Sequence, residues 1–353
     1  MAMVFEGAQR PFVCHRIGLP PLDSGEVLVQ VDYATICSSD LHTYYGRRHG
    51  PMPCILGHEI VGSVVALGSG GVNAHSGTPL RVGDAVTWAV YAYDPEGEMA
   101  KRGLPQKSAG LFKYGHQAFD GDRALSGGFA THCHLKRGTP IFRLPPSLHL
   151  VEAAPLNCTH ATIAGALRLA GALTGKNVLV IGAGMLGLSA CAMTREAGAR
   201  RVWAMDTDAE RRRAAPDFGA DTSLLPTVAA DRLQGAGGVD VVIETSGAPP
   251  AMERGLELLN TGGIAVWVGA VYAQRNLALN AEAVVRKVLT IRGLHNYTPE
   301  DLASAIRFLT AHRHRYPFRR LVGPQFSLTD LDRAFEAAAA RSCYRVGVRP
   351  PAD

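Results

Sequence analysis

One stretch narrows the fold of this chain more than any other: "NVLVIGAGMLGLSACAMTREAG", residues 177 to 198. An unbroken apolar run of strand length ends on glycine, two further glycines follow at fixed spacing, and a helical composition begins inside the turn. Three more apolar runs come after it, "RVWAMD" (201–206), "VDVVIETSG" (239–247) and "GGIAVWVGA" (262–270), separated by residues of helical character. A strand that is apolar throughout is buried on both faces, and strands alternating with helices put the helices on those faces. The reading is an α/β fold with a doubly wound parallel sheet.

The turn itself, Gly182-Ala183-Gly184-Met185-Leu186-Gly187, has the context that a dinucleotide site requires, a strand before it and a helix after it. Gly182 would permit the tight turn, Gly184 would let the backbone approach a pyrophosphate, and Gly187 would let helix and strand pack closely. The helix N-terminus would offer unpaired N–H groups to the phosphates. Asp206, nineteen residues past Gly187, ends the next strand, where a carboxylate can accept from both ribose hydroxyls and repel a 2′-phosphate. Arg211 could reach the ribose edge. The expected cofactor is NAD(H) in preference to NADP.

Residues 1 to about 150 have a different texture, with short β-type runs at 26–34, 59–68 and 127–135 punctuated by glycine and proline. A chain of 353 residues is long for one core and suggests two domains. The last segment, "LTDLDRAFEAAAARSCYRVGV", reads as an amphipathic helix capped by Thr329 or Asp330 and leading into a strand. A net charge of +5 without a nucleic-acid-binding motif argues against a nucleic-acid partner, and no apolar run is long enough to span a membrane. An odd count of seven cysteines does not read as a disulfide framework, so reduced thiols and a cytoplasmic setting are expected.

Core-building does not explain "TICSSDLHTYYGRRHGPMPCILGHEIVG", residues 35 to 62, which gathers Cys37, Ser39, Asp40, His42, His58 and Glu59 in a loop-rich stretch. With "G-H-E" twenty-one residues after the cysteine and the glycine turn following in order, the chain resembles the zinc-dependent medium-chain alcohol dehydrogenases over essentially its whole length, including a "VGDAV" strand at 82–86. The resemblance implies a GroES-like β-rich catalytic domain at 1–150, completed by 291–353, and a Rossmann NAD-binding domain at 151–290, with the active site in the cleft between them. It implies zinc ligation by Cys37, His58 and Cys158, with Glu59 backing the metal or exchanging onto it. Three protein ligands and one open position make a catalytic rather than a structural site. By the same resemblance Asp40 holds the imidazole of His58, Ser39 bonds the substrate oxygen and His42 ends a proton relay. Val268, Leu294 and Asn296 match positions that hold the carboxamide of the cofactor.

The implied activity is hydride transfer between NAD(H) and a small-molecule secondary alcohol or ketone, in a homo-oligomer, dimer or tetramer. Family members with a second, structural zinc hold it with four cysteines; here those places carry Asp94, Gly97, Ala100 and Ser108, so one zinc per chain is expected. "His132-Cys133-His134" would alternate across a strand and cannot converge on one ion. The segments "YYGRRHGPMPCILGHE" and "RGLPQKSAGLFKYGH" resemble a phosphonate-associated branch and the cyclitol dehydrogenases. They suggest a polyol, cyclitol or phosphonate-type substrate that Arg47, Arg48 and His49 could face. Two alternatives use the same residues differently: reduction of the C=C bond of a conjugated cyclic enone, and an NAD-binding redox sensor without turnover.

Overall fold

The computed structural model describes residues 1–120, 124–227 and 229–351. The chain forms two compact units, one of Met1–Cys158, Thr298–Ala311 and Phe318–Asp353, the other of Thr159–Tyr297 and His312–Pro317. The first unit therefore runs on past 150 to Cys158, and the second takes in the strand Thr290–Gly293, which the composition near 290 does not announce.

The first unit is built on a strand order of Val322–Ser327, Arg345–Arg349, Val27–Ile36, Glu59–Leu67, Ala85–Trp88 and Ile141–Arg143, with His132–Leu135 also paired to Val27–Ile36. The central strand carries the site. Its C-terminal end pairs Thr35 with Glu59 on one side and Ile36 with Val346 on the other. Cys37 follows at once, and the helix Ser38–Tyr44 begins. Its apolar side chains, Val27, Val29, Val31 and Ile36, join Ile60, Trp88, Phe129, Phe335 and Val346 in one buried core.

Three details differ from the sequence reading. The strand expected at 82–86 is Ala85–Trp88, because Gly83 turns the chain at φ +90° and leaves Val82 exposed. Of 127–135 only His132–Leu135 is strand: the Ile55 and Leu56 carbonyls meet Gly127, and the Ile60 side chain meets Gly128, too closely for a Cβ, and that stretch packs as loop. The helix Leu331–Ala339 starts after Asp330, but the carboxylate of Asp330 accepts from Ser327 Oγ at 2.7 Å instead of capping the helix.

The second unit holds a six-stranded parallel sheet in the order Thr222–Leu224, Arg201–Met205, Asn177–Ile181, Val239–Glu244, Leu259–Trp267, Thr290–Gly293. Numbered along the chain this is the 3-2-1-4-5-6 order of the doubly wound nucleotide-binding fold, whose ligand crevice lies at the carboxyl ends of the strands. The sheet buries Leu179, Ile181, Trp203, Met205 and Val242 against Leu256 and Leu259. The helix Met185–Glu196 leaves the first strand through the glycine turn. Gly182 has φ +89°, which costs a residue with a side chain but not glycine. A Cβ on Gly187 would stand 1.7 Å from the Gly182 carbonyl oxygen.

Gly187→Ala pits a helix-propensity gain of about 1 kcal/mol against that backbone clash. Overpacking costs about 1–3 kcal/mol, and a carbonyl of the turn cannot yield as a flexible side chain would. The variant is expected to unfold at lower urea than wild type by tryptophan fluorescence, since Trp203 and Trp267 lie in this sheet. An unchanged midpoint would show that the helix does not need to seat so closely.

Candidate active site

Cys37, His58 and Cys158 bring their ligand atoms within 4.8 Å of one another, the one such cluster of His, Cys, Asp and Glu side chains among the described residues. Each comes from a different place in the first unit. Cys37 ends the central strand, His58 precedes the neighbouring strand, and Cys158 ends the short helical turn Ala154–Asn157. Cys37 Sγ and Cys158 Sγ lie 4.0 Å apart. Two thiolates on a tetrahedral zinc stand about 3.8 Å apart. The donor set, two sulfurs and one imidazole, is that of a zinc site with a position to spare, so the residues present fit the metal.

Asp40 orders this cluster. It is buried, its Oδ1 lies 3.1 Å from His58 Nδ1, and its Oδ2 accepts from the Cys37 backbone N–H at 2.9 Å. Nδ1 of His58 is thereby occupied, and Nε2 is left for the sulfur side, 3.3 Å from Ser39 Oγ. Orienting a ligating imidazole through its other nitrogen is how an outer carboxylate tunes a metal site. Burial works against a charged His58, but Asp40 overrides it and pushes the ring well above its ordinary value. The hydrogen bond from Cys158, helped by Arg345 and His58, holds Cys37 well below the ordinary thiol range, and the same bond pushes Cys158 up.

Glu59 is turned elsewhere. Both of its oxygens bind Arg345, at 2.7 and 2.8 Å, and Oε2 also accepts from Thr35 Oγ1 at 2.6 Å. The carboxylate is thus outside the three-residue cluster. Arg345 is itself buried, and its Nη2 lies 3.5 Å from Cys37 Sγ. Burial opposes its charge, and Glu59 more than restores it. Sequence reading missed Arg345, which lies 286 positions from Glu59 and is joined to it only by strand pairing. His42, half-buried on the helix Ser38–Tyr44, is held below its ordinary value by burial and by Arg47. His160 sits in the helix Thr159–Ala170 of the second unit, with Nδ1 2.8 Å from Ser189 Oγ. His134 binds Glu26 at 2.8 Å, while Cys133 between the two histidines is buried in the core. Arg47 lies over the Tyr45 ring, and His49 is exposed.

In the second unit the residues singled out for the cofactor all stand at the carboxyl ends of the parallel strands. A Cβ on Gly184 would meet only Arg211 Nη1, at 3.9 Å, so the backbone there is open to an approaching ligand. Gly184 caps the helix that Met185 and Leu186 begin. Asp206 accepts from the Ala183 N–H at 2.7 Å and from the Asp208 N–H at 2.8 Å, which ties it to the glycine turn. Val268 and Leu294 are buried just past their strands, and Asn296 has φ 60°. Glu244, unnoticed in the sequence, is buried and accepts from Ser246 and Gly247 N–H at 2.7 and 2.9 Å, shaping the neighbouring turn.

The chain matches the "Alcohol dehydrogenase GroES-like domain" over residues 23–146 and the "Zinc-binding dehydrogenase" family over 186–311. It is 28% identical to the sorbitol dehydrogenase of Halalkalibacterium halodurans over 335 residues, 92% of each chain. It is 30% identical to the Arthroderma otae protein named "Probable D-xylulose reductase A", covering 90% of this chain and 88% of that one. Among solved structures, an alcohol dehydrogenase from Thermotoga maritima superposes with TM-score 0.93 at 25% identity over 99% of both chains. A Sinorhizobium meliloti structure bound to NADP gives TM-score 0.86 at 25% identity, covering 99% and 98%. The protein belongs to the zinc-type medium-chain alcohol dehydrogenase family. It is an oxidoreductase of alcohols linked to a nicotinamide cofactor.

Removing one partner of a buried ion pair costs about 3–5 kcal/mol, because the other charge is left unpaired, whereas replacing both partners costs far less. Arg345→Met should therefore lower stability by about that amount, and adding Glu59→Gln should recover much of it. A double-mutant cycle in urea measures the coupling. Additive losses would mean that the pair contributes no coupling.

Proposed function

We propose that the protein is a zinc- and NAD-dependent dehydrogenase of polar secondary alcohols: a polyol, a cyclitol or a hydroxyalkyl phosphonate. The observation that carries this reading is the Cys37, His58, Cys158 cluster, with Ser39 Oγ 3.3 Å from His58 Nε2. The sorbitol and xylulose enzymes among its relatives favour a hydroxyl-rich substrate. No helix among the described residues is long and apolar enough to cross a membrane.

Cys37, His58 and Cys158 would hold zinc, which would supply a Lewis acid for the alcohol oxygen, and a bound nicotinamide would supply the hydride acceptor. The remaining work falls to the chain. Ser39 Oγ hydrogen-bonds the substrate oxygen and accepts its proton. His42, kept neutral by burial and Arg47, takes that proton outward. Asp40 keeps the His58 ring in place, and Arg345 keeps Glu59 engaged and backs the Cys37 sulfur. The helix N-terminus at Met185 and the Gly184 backbone receive the pyrophosphate, Gly182 and Gly187 shape the turn, and Asp206 accepts from the ribose with Arg211 beside it. Val268, Leu294 and Asn296 present the backbone to the carboxamide. Overall an alcohol and NAD give a ketone, NADH and a proton.

Cys37→Ala is expected to lose zinc, measured by elemental analysis, and to lose oxidation of sorbitol and myo-inositol, while NADH fluorescence still reports binding. Wild-type turnover in that variant would refute the metal reading. Asp206→Ala should shift the kcat/KM ratio of NAD to NADP toward NADP by about tenfold or more, the size of one charge-assisted hydrogen bond. An unchanged ratio would remove Asp206 from the ribose site.

A further inference from the structure

Three nitrogen-bearing side chains, on the segment after the helix Ser38–Tyr44 and on the turn packed against His58, are left, among the described residues, without the partners their environment calls for. Arg48 follows the helix that carries Ser39 and His42, and its backbone N–H returns to the His42 carbonyl at 3.1 Å. Lys113 ends the short strand Phe112–Lys113. Both are half-buried, and among the described residues neither makes an ion pair or a side-chain hydrogen bond. Cations that lose water normally gain an acid in exchange.

His116 is the third. Gly57 and Gly115, both at positive φ, press backbone to backbone, so that a Cβ on Gly115 would lie 2.8 Å from the Gly57 carbonyl oxygen. This contact sets the His116 ring 5.6 Å from the His58 ring, centroid to centroid. His116 Nδ1 lies 3.1 Å from the Tyr114 carbonyl, which can only accept, so Nδ1 carries the hydrogen. Nε2 then holds a lone pair, buried and, among the described residues, with no hydrogen-bond partner. The His116 backbone N–H donates to the Lys113 carbonyl at 3.1 Å, so Lys113 and His116 share one turn. Lys113 and His116 thus lie on one turn packed against His58, and Arg48 folds back on the helix that carries Ser39 and His42.

We infer that Arg48 and Lys113 form a subsite for an anionic substituent of the alcohol substrate, with His116 Nε2 accepting a hydroxyl of the same molecule. The inference rests on the proposed dehydrogenase reading and narrows its substrate class to hydroxylated compounds bearing phosphoryl, phosphonyl or carboxylate oxygens. Two cations and an acceptor beside a metal site suit such a molecule: the anion satisfies the cations, and the hydroxyl satisfies the orphaned nitrogen. A neutral polyol would leave both cations unpaired.

The test compares NADH-dependent reduction of 2-oxopropylphosphonate, acetoacetate and hydroxyacetone, which differ only in the group beside the ketone. It pairs this with equilibrium binding of methylphosphonate to the NADH-saturated, zinc-loaded enzyme. The expected result is a preference in kcat/KM for an anionic ketone, with the two anions ranking phosphonyl against carboxylate. In Arg48→Met/Lys113→Met the ratio of anionic to neutral kcat/KM should fall about tenfold to a hundredfold, as expected for loss of charge-assisted hydrogen bonds, and methylphosphonate binding should weaken in parallel. Equal or better use of hydroxyacetone by wild type, or a preference that survives the double substitution, overturns the anion subsite and leaves the dehydrogenase standing. Methylphosphonate competing with NADH instead of with ketone also overturns it, because the cations would then serve the cofactor phosphates. If no ketone is turned over, the methylphosphonate binding measurement alone decides: loss of binding in the double variant supports the anion subsite, and unchanged or absent binding overturns it.

Discussion

A guanidinium removed from water is tolerable only if its N–H groups find oxygens at once, and much of the first unit is arranged around that demand. Arg345 begins the last strand, Cys37 ends the central one, and Glu59 begins the third. Pairing of Ile36 with Val346 and of Thr35 with Glu59 brings the three together. A register slip of one residue would turn these side chains to the opposite face and leave buried charges alone, so the ion pair selects the alignment of the strands as much as the strands place the pair. Asp40 performs the corresponding task on the other side. One carboxylate holds the start of the helix and the far nitrogen of His58, which fixes the sulfur and the imidazole relative to each other.

What the sequence shows and what it hides divide along range. The glycine turn is legible because strand, turn and helix are contiguous, and each glycine answers a local steric demand. The parallel sheet is legible because continuous apolar runs have few other uses. The cluster around Cys37 can be read locally as far as Cys37, Asp40, His58 and Glu59, all within one stretch. Cys158 enters by resemblance, since nothing near it in the chain states which atoms it meets. Arg345 is invisible: an arginine opening a strand close to the C-terminus looks like any solvated charge until the strands are paired. The same holds for Glu244, whose role is to organise backbone N–H groups of a neighbouring turn, and for His116, whose placement depends on two glycines 58 positions apart. The boundary near 150 misses for a related reason, because composition changes where helices begin and not where contacts change sides.

The charges of the site explain why cations should gather at its margin. With His58 neutral, the ionised forms of Cys37, Cys158, Asp40 and Glu59 face a single guanidinium. Without a metal that excess is relieved by protons: Asp40 holds His58 up so that its ring takes one, and the two sulfurs differ, Cys37 held down and Cys158 pushed up. A dication displaces those protons, which is why thiolate sites bind metal more tightly as pH rises, yet with Arg345 it still leaves the ionised set one positive charge short of balance. A substrate that is itself anionic would be repelled by that residue of negative charge over the short distances of a poorly screened site. Arg48 and Lys113, half-buried and among the described residues without an ion-paired acid, would reverse the sign of the field an arriving anion meets. Their cost to the empty protein is the desolvation of two cations, and a substrate that carries the matching charge removes it.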